Sequence, residues 1–462
     1  MTESPFAAIV KAYDVRGECP GQYDPHLARA LGAGFAAFAV EESSGSDCPV
    51  DRILVARDMR PTGVEMSAAF AEGVRSQGVD VVDLGLCSTD ETYFAAGHLD
   101  APAAVFTASH NPSRYNGTKF CLAGARPVGE DSGLPRVREL AEASLAGDLP
   151  DADTPGTSSS ADVLNAFVDH VCGFVDVASL RPLSIVADTA NGMGGLVAPA
   201  VFARLPVQLE ILFGELDGTF PNHPADPIQP VNQVALRERV VATGADLGLA
   251  FDGDADRVVL VDEQGVTLPG STTTAIIAAA ILDARGGGTV IHNLICSKAV
   301  PEVIREHGGR PIRSRVGHSF IKKLMSDEGA VFGGEHSAHY YFLDNFRADS
   351  GLIASMFILD QLSVTGLPLS ELRKPFERYA GSGEINTTVS DPHAIIEHVA
   401  EHFSGLDQDR LDGLTVDAGD WWFNLRPSNT EPLLRLNVEA ADPAAVAERA
   451  AEVQAVIAES DH

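Results

Sequence analysis

The chain has 462 residues, 45% apolar and 21% charged, a globular balance too large for one hydrophobic core and suited to roughly three or four domains. Acidic residues outnumber basic ones 65 to 33, a net charge of −32 that excludes a nucleic-acid or anionic-membrane surface, because both demand a basic face. An anionic substrate would therefore need a local cationic exception, and lysine is confined to Lys11, Lys119, Lys298, Lys322, Lys323 and Lys374.

Cys19, Cys48, Cys87, Cys121, Cys172 and Cys296 stand apart without CxxC spacing, so neither a zinc site nor a disulfide framework is expected. Met1-Thr2-Glu3-Ser4-Pro5 lacks the basic and apolar regions of a signal peptide, and no apolar run approaches a membrane span. A cytoplasmic protein without membrane partners is expected.

Residues 9–17 read as a strand running into a turn at Gly17. Arg16 is either a solvated strand end or an anion contact, since guanidinium suits phosphate. A strand, turn, helix, strand order then comes three times. It places strands at 53–56 and 79–84 around a helix at 64–77. It repeats with strands at 183–187 and 207–213 around a helix at 196–204, and again with strands at 289–291 and 311–316 around a helix at 300–307. The pattern implies three similar α/β domains with mixed or parallel sheets. Residues 147–160 are polar and rich in turn formers and read as a linker. An Ala-rich helix is expected at 271–284 and a last joint at Gly381-Ser382-Gly383. Beyond it, alternating runs and helices near 392–403 and 443–458 predict a smaller α+β domain with an antiparallel sheet.

Four stretches carry the chemistry. Thr107-Ala108-Ser109-His110-Asn111-Pro112 follows the apolar run 103–106, and the Asn-Pro step forces Asn111 into an extended or turning backbone. Ser109 is placed to present its hydroxyl into a cleft, with His110 adjacent and Lys119 ten residues on. A bare serine is a poor nucleophile and needs a base, a cation or a phosphate already on it. The same hexapeptide is also a good plain turn. In Asp252-Gly253-Asp254-Ala255-Asp256-Arg257, three carboxylates alternate after an apolar strand. Extended backbone would place them on one face, where they repel unless a hard cation, Mg²⁺ or Ca²⁺, joins them. A helix–loop–helix calcium site would need Gly where Arg257 stands. Since Mg²⁺ tends to share its site with phosphate oxygens, a phosphorylated Ser109 is a natural fourth partner.

Glu335, Ser337 and His339 alternate after Gly333-Gly334, either a polar face for sugar hydroxyls or an ordinary strand edge. Arg426-Pro427-Ser428-Asn429-Thr430-Glu431-Pro432, with Arg435 close behind, crowds donors between two prolines. That is the makeup of a phosphate nest, or of a simple turn.

Together and in this order, the four motifs resemble the α-D-phosphohexomutase superfamily, most closely its bacterial phosphomannomutase/phosphoglucomutase branch. The resemblance spans essentially the whole chain and implies four domains around a central cleft. Three would be related mixed-sheet α/β domains (1–150, 151–262 and 263–375) and one a smaller C-terminal α+β domain (376–462). It implies a phosphoryl group on Ser109 and Mg²⁺ held by Ser109, Asp252, Asp254 and Asp256. Glu335 and Ser337 would bind sugar hydroxyls, while Arg426, Ser428, Asn429 and Thr430 would clamp the non-reacting phosphate. Tyr13, Arg16, His110, Lys119, Arg257, His318 and His339 match positions near the reacting groups, with Lys119 a candidate acid/base. The implied reaction moves phosphate between the 1- and 6-positions of mannose or glucose through glucose 1,6-bisphosphate or its mannose counterpart.

Two departures stand out. Ile295-Cys296-Ser297-Lys298 lacks a lysine just before the cysteine, so Lys298 or His318 would have to serve instead, and His336 and Ala338 differ from the commonest bacterial sugar loop. Three rival readings remain. A phosphoglucosamine mutase usually shows Gln where His336 stands. A silent binding relative would have lost the serine or an aspartate, and all are present. A metal-dependent sugar phosphatase would release phosphate.

Overall fold

The computed structural model describes residues 4–45, 49–427 and 433–460, and four β-sheets organise them. In the first, Ala103–Phe106, Arg52–Arg57 and Asp80–Leu86 run parallel, and Tyr115–Leu122 pairs antiparallel with Ala103–Phe106. The second joins Gln208–Leu212, Ser184–Asp188 and Leu247–Phe251 in parallel and ends on antiparallel Val258–Asp262. The third joins Gly309–Ser314, Gly288–Asn293 and Phe332–Gly334 in parallel and ends on antiparallel Tyr340–Phe342. The fourth sheet is antiparallel throughout, from Ala380–Thr388 to Asp407–Asp409. Three mixed α/β sheets and a C-terminal antiparallel one of five strands are the architecture expected from the strand and helix pattern.

Local signals account for the helices. Ser88 and Glu91 form a reciprocal capping box that starts Thr89–His98, and Asp24 caps the amide of Leu27 ahead of Pro25–Ser43. Gly63–Ser76 stops before Gly78, whose φ of +77° suits glycine. Helix Gly270–Arg285 is buried along most of its length, because the second and third sheets share one continuous apolar core that runs from Phe94 to Leu372. The first and fourth sheets keep separate cores.

Two stretches read as joints also carry strand structure. Ser158–Ser160, inside the linker-like stretch, adds a parallel edge strand to the first sheet beside Asp80–Leu86. Gly381-Ser382-Gly383 falls at a register shift within strand Ala380–Thr388. Among the described residues, no single helix is long and apolar enough to cross a membrane, and Cys19, Cys87, Cys121, Cys172 and Cys296 are free.

Candidate active site

All four motifs occupy one kind of place: the connection between two antiparallel strands. Residues 107–114 join Ala103–Phe106 to Tyr115–Leu122, and 252–257 join Leu247–Phe251 to Val258–Asp262. Residues 335–339 join Phe332–Gly334 to Tyr340–Phe342, and 428–432 join Trp422–Pro427 to Leu433–Ala440. Ser109, His110, Lys119, Arg16, Tyr13, Glu335, Ser337, His339 and Arg435 line a common cleft of about 770 Å³.

Ser109 is 5% exposed and has a φ of +47°, a left-handed conformation costly for a residue with a β-carbon. The loop is held in that shape from below. Arg60, with no exposed surface, donates to the carbonyls of Ser109, Asn111, Pro112 and Tyr115 at 2.7–2.9 Å and pairs with buried Asp58 at 3.2 Å. Arg60 was missed in the sequence, where only its position two residues beyond Asp58 and the preceding strand could have signalled it. The Ser109 hydroxyl donates to Asp252 Oδ2 at 2.7 Å and lies 3.2 Å from His110 Nδ1. Gly253 permits this approach, since a β-carbon there would stand 2.4 Å from the Ser109 carbonyl oxygen.

The aspartates converge, though not as a strand would place them. Residues 252–257 form a turn with Ala255 at φ +63°, and 335–339 turn likewise with Ala338 at +66°. Asp252, Asp254 and Asp256 are buried and offer ligand oxygens all within 4.8 Å of one another. Lys119 donates to Asp254 and Asp256, both at 2.7 Å, and Thr89 donates to Asp254 at 2.6 Å. Asp254 Oδ1 and Asp256 Oδ1 are buried without a hydrogen-bond partner. Orphaned hard oxygens converging on one point fit a divalent metal ion. Burial and repulsion from Asp254 push Asp252 up to about 8, and the same causes raise Asp256. Asp254 is held low by Lys119 against the cost of its burial. Metal binding here would release protons. Asp256, His339 and Asp349 form a second tight group, but there Asp349 is already paired with Lys322 at 2.8 Å and His339 at 2.8 Å.

Cations surround the serine. Arg257 donates to Asp252 at 3.1 Å and Arg16 to Asp14 and Asn111 at 2.5 Å, while Arg257 Nη2 and Arg16 Nε are buried without partners. Enclosure by protein, then Arg257 and Arg16, hold His110 well below the ordinary histidine range even though its ring surface opens to the cleft. His339 is raised, because Asp256 and Asp349 outweigh its burial. Lys119 is raised well above the usual lysine range by Asp254 and Asp256, against burial, so it stands as an ammonium, an acid rather than a base.

In the third loop, Glu335 accepts from Tyr341 at 2.6 Å, Asn293 at 3.0 Å and the Gly317 amide at 3.3 Å, which fixes the carboxylate and leaves little free acceptor capacity. Ser337 lines the cleft, whereas His336 turns away to Ser271 at 3.0 Å. Lys298 does not reach the cleft: its ammonium binds Asp417 at 2.6 Å and the Gly419 carbonyl at 2.9 Å in the fourth sheet.

Arg426 and Arg435 stand directly opposite each other on neighbouring strands, a repulsive pairing offset by Glu384 at 2.8 and 3.7 Å. Their Nε atoms are buried and make no hydrogen bond among the described residues. Ser428, Asn429 and Thr430 lie outside the described residues, as does the side chain of His318, which begins helix His318–Glu328. The cleft thus carries a serine beside a carboxylate cluster at one end and two partly unsatisfied guanidiniums at the other. That arrangement can hold a molecule anionic at both ends.

Comparison with known proteins agrees. The models of phosphoglucomutase/phosphomannomutase domains I, II, III and IV match residues 7–143, 165–265, 269–379 and 384–456. The chain belongs to the phosphoglucomutase/phosphomannomutase family. A phosphomannomutase of Escherichia coli K12 is 38% identical over 441 residues, covering 93% of this chain and 94% of that protein. Phosphohexose mutases of Xanthomonas campestris are 38% identical over 444 residues, covering 95% and 96%. Among solved structures, a family protein of Burkholderia thailandensis superposes with a TM-score of 0.88 at 30% identity, over 100% of this chain and 98% of that one. By family membership this chain is an enzyme, an isomerase of the phosphomannomutase/phosphoglucomutase type.

Proposed function

We propose that the enzyme moves a phosphoryl group reversibly between the 1- and 6-positions of a hexose phosphate, mannose or glucose, through phosphorylated Ser109 and a hexose 1,6-bisphosphate. The observation that carries this reading is the Ser109 hydroxyl bonded to Asp252 at 2.7 Å within a three-carboxylate cluster. A serine so placed can carry a phosphate shared with a metal ion and hand it to a sugar hydroxyl. The relatives named phosphomannomutase and phosphohexose mutases support the substrate class.

In this reading each of the segments 1–150, 151–262, 263–375 and 376–462 contributes one loop. Asp252, Asp254 and Asp256 would hold Mg²⁺, which suits an all-oxygen donor set shared with phosphate and would neutralise charge on the transferring group. Arg16 and Arg257 turn unspent donors toward the same group, Lys119 supplies a proton to the leaving oxygen, and His110, kept neutral, accepts one from the attacking hydroxyl. Glu335, Ser337, His339 and Tyr13 orient the sugar. Arg426 and Arg435, with Ser428, Asn429 and Thr430, hold the phosphate that does not react, and His318 belongs with the residues near the reacting group. Because the bisphosphate must turn end for end, the distal site has to accept either end, which a clamp specific for phosphate rather than sugar allows.

The test is an assay with mannose 1-phosphate and glucose 1-phosphate in parallel, with Mg²⁺ and a trace of glucose 1,6-bisphosphate, recording inorganic phosphate. Conversion to 6-phosphates without phosphate release supports the mutase. Release without isomerisation would make Ser109 a hydrolase nucleophile.

A further inference from the structure

We propose that Arg315 is a third cationic contact for the substrate's non-reacting phosphate, supplied by the third domain across the cleft from Arg426 and Arg435. The inference rests on the hexose-phosphate reading above and adds a residue that none of the four motifs contains.

Arg315 lies between strand Gly309–Ser314 and helix His318–Glu328 and, with Arg426 and Arg435, lines a cavity of about 950 Å³. That cavity and the catalytic cleft share Tyr13, Val316 and Arg435, so the two are continuous. Acidic residues outnumber basic ones 65 to 33, yet among the described residues no carboxylate lies within ion-pair distance of the exposed Arg315 guanidinium. Asp412, on the same cavity, is engaged by the Val316 amide at 3.2 Å.

Arg315 is nevertheless held in place. Its guanidinium lies over the Phe320 ring at 4.3 Å, and Phe320 meets Tyr13 edge to face at 5.9 Å. Tyr13 in turn donates to the Val316 carbonyl at 3.2 Å. Gly317, at φ +130°, lets the Tyr13 ring close onto the loop, where a β-carbon would stand 2.6 Å from it. Stacking uses the face of the guanidinium and leaves its edge N–H groups free, the edge that binds phosphate oxygens in pairs. A phosphate gripped by Arg426 and Arg435 on one side and Arg315 on the other would tie the fourth domain to the third.

The test is calorimetric titration of mannose 1-phosphate and mannose 6-phosphate into Ser109→Ala protein with and without Arg315→Ala or Arg315→Lys, each variant first checked for an unchanged melting temperature. Arg315→Ala should weaken both ligands about tenfold or more, alike for the two isomers, and Arg315→Lys should weaken them less. In otherwise wild-type protein, Arg315→Ala should raise KM more than it lowers kcat. Parental affinity in Arg315→Ala, with Arg426→Ala clearly weakened, would overturn the role of Arg315 and leave the mutase reading intact. If the parent bound neither isomer and wild-type protein showed no mutase activity, the underlying reading would fail, and the role of Arg315 with it.

Discussion

Ser109 and Asp252, 143 residues apart, meet in a 2.7 Å hydrogen bond that joins the loop of the first sheet to the loop of the second. The contact requires a left-handed serine, a glycine at 253 and a buried arginine under the loop. Each requirement is separately open to test.

Arg60 should be the structural keystone of the serine loop. Arg60→Met strands four loop carbonyls and leaves Asp58 as a buried, unpaired carboxylate, a loss of about 3–5 kcal/mol. Thermal unfolding should show the loss, and limited proteolysis should open residues 107–115. Arg60→Lys, which lacks the planar fork, should fall between the two.

The carboxylate cluster should make the protein metal-responsive. Wild-type melting temperature should rise with added Mg²⁺, following mass action on the folded state. Asp254→Asn should remove most of that rise and cut kcat on the order of 10²-fold or more, because it neutralises a ligand and frees Lys119 from one of its two partners. Chelation of wild-type protein should abolish turnover, and Mg²⁺ should restore it.

Burial raises Asp90 to about 7 and Glu91 to about 8, so both hold protons in the folded protein that they would release when unfolded near neutral pH. The folded state then binds more protons than the unfolded one, and this contribution to stability is complete below about pH 4 and lost as pH rises through 7 and 8. Glu91→Gln keeps an acceptor for the Ser88 amide without the charge. It should melt a few degrees above wild type at pH 8 and together with it near pH 4. A constant difference across that range would contradict the buried-proton account.

The four loops were legible because each is a polar motif of six or seven residues set between apolar strands. The mixed sheets were legible from the order of those strands. Alternation misled where a small residue hid a turn: Asp252, Asp254 and Asp256 meet because Ala255 turns left-handed, and Glu335 and His339 because Ala338 does. Arg60 and Glu384 escaped because their meaning lies in partners far off in sequence. Arg60 binds carbonyls about 50 residues away, and Glu384 joins Arg426 and Arg435 from a strand whose glycines read as a domain joint. Lys298, read together with His318 as one of two candidates to serve the sugar, is drawn instead to Asp417 by a surface that no local pattern encodes.

The central claim is that Ser109 carries the phosphoryl group between substrate and product. The most direct measurement is intact-protein mass after incubation with glucose 1,6-bisphosphate and Mg²⁺, for wild type and Ser109→Ala, with peptide mapping of the modified site. The account predicts one added phosphoryl group on the peptide containing Ser109, its loss on exposure to hexose monophosphate, and neither labelling nor turnover in Ser109→Ala. Normal turnover in Ser109→Ala, or a phosphoryl group on another residue, would contradict it.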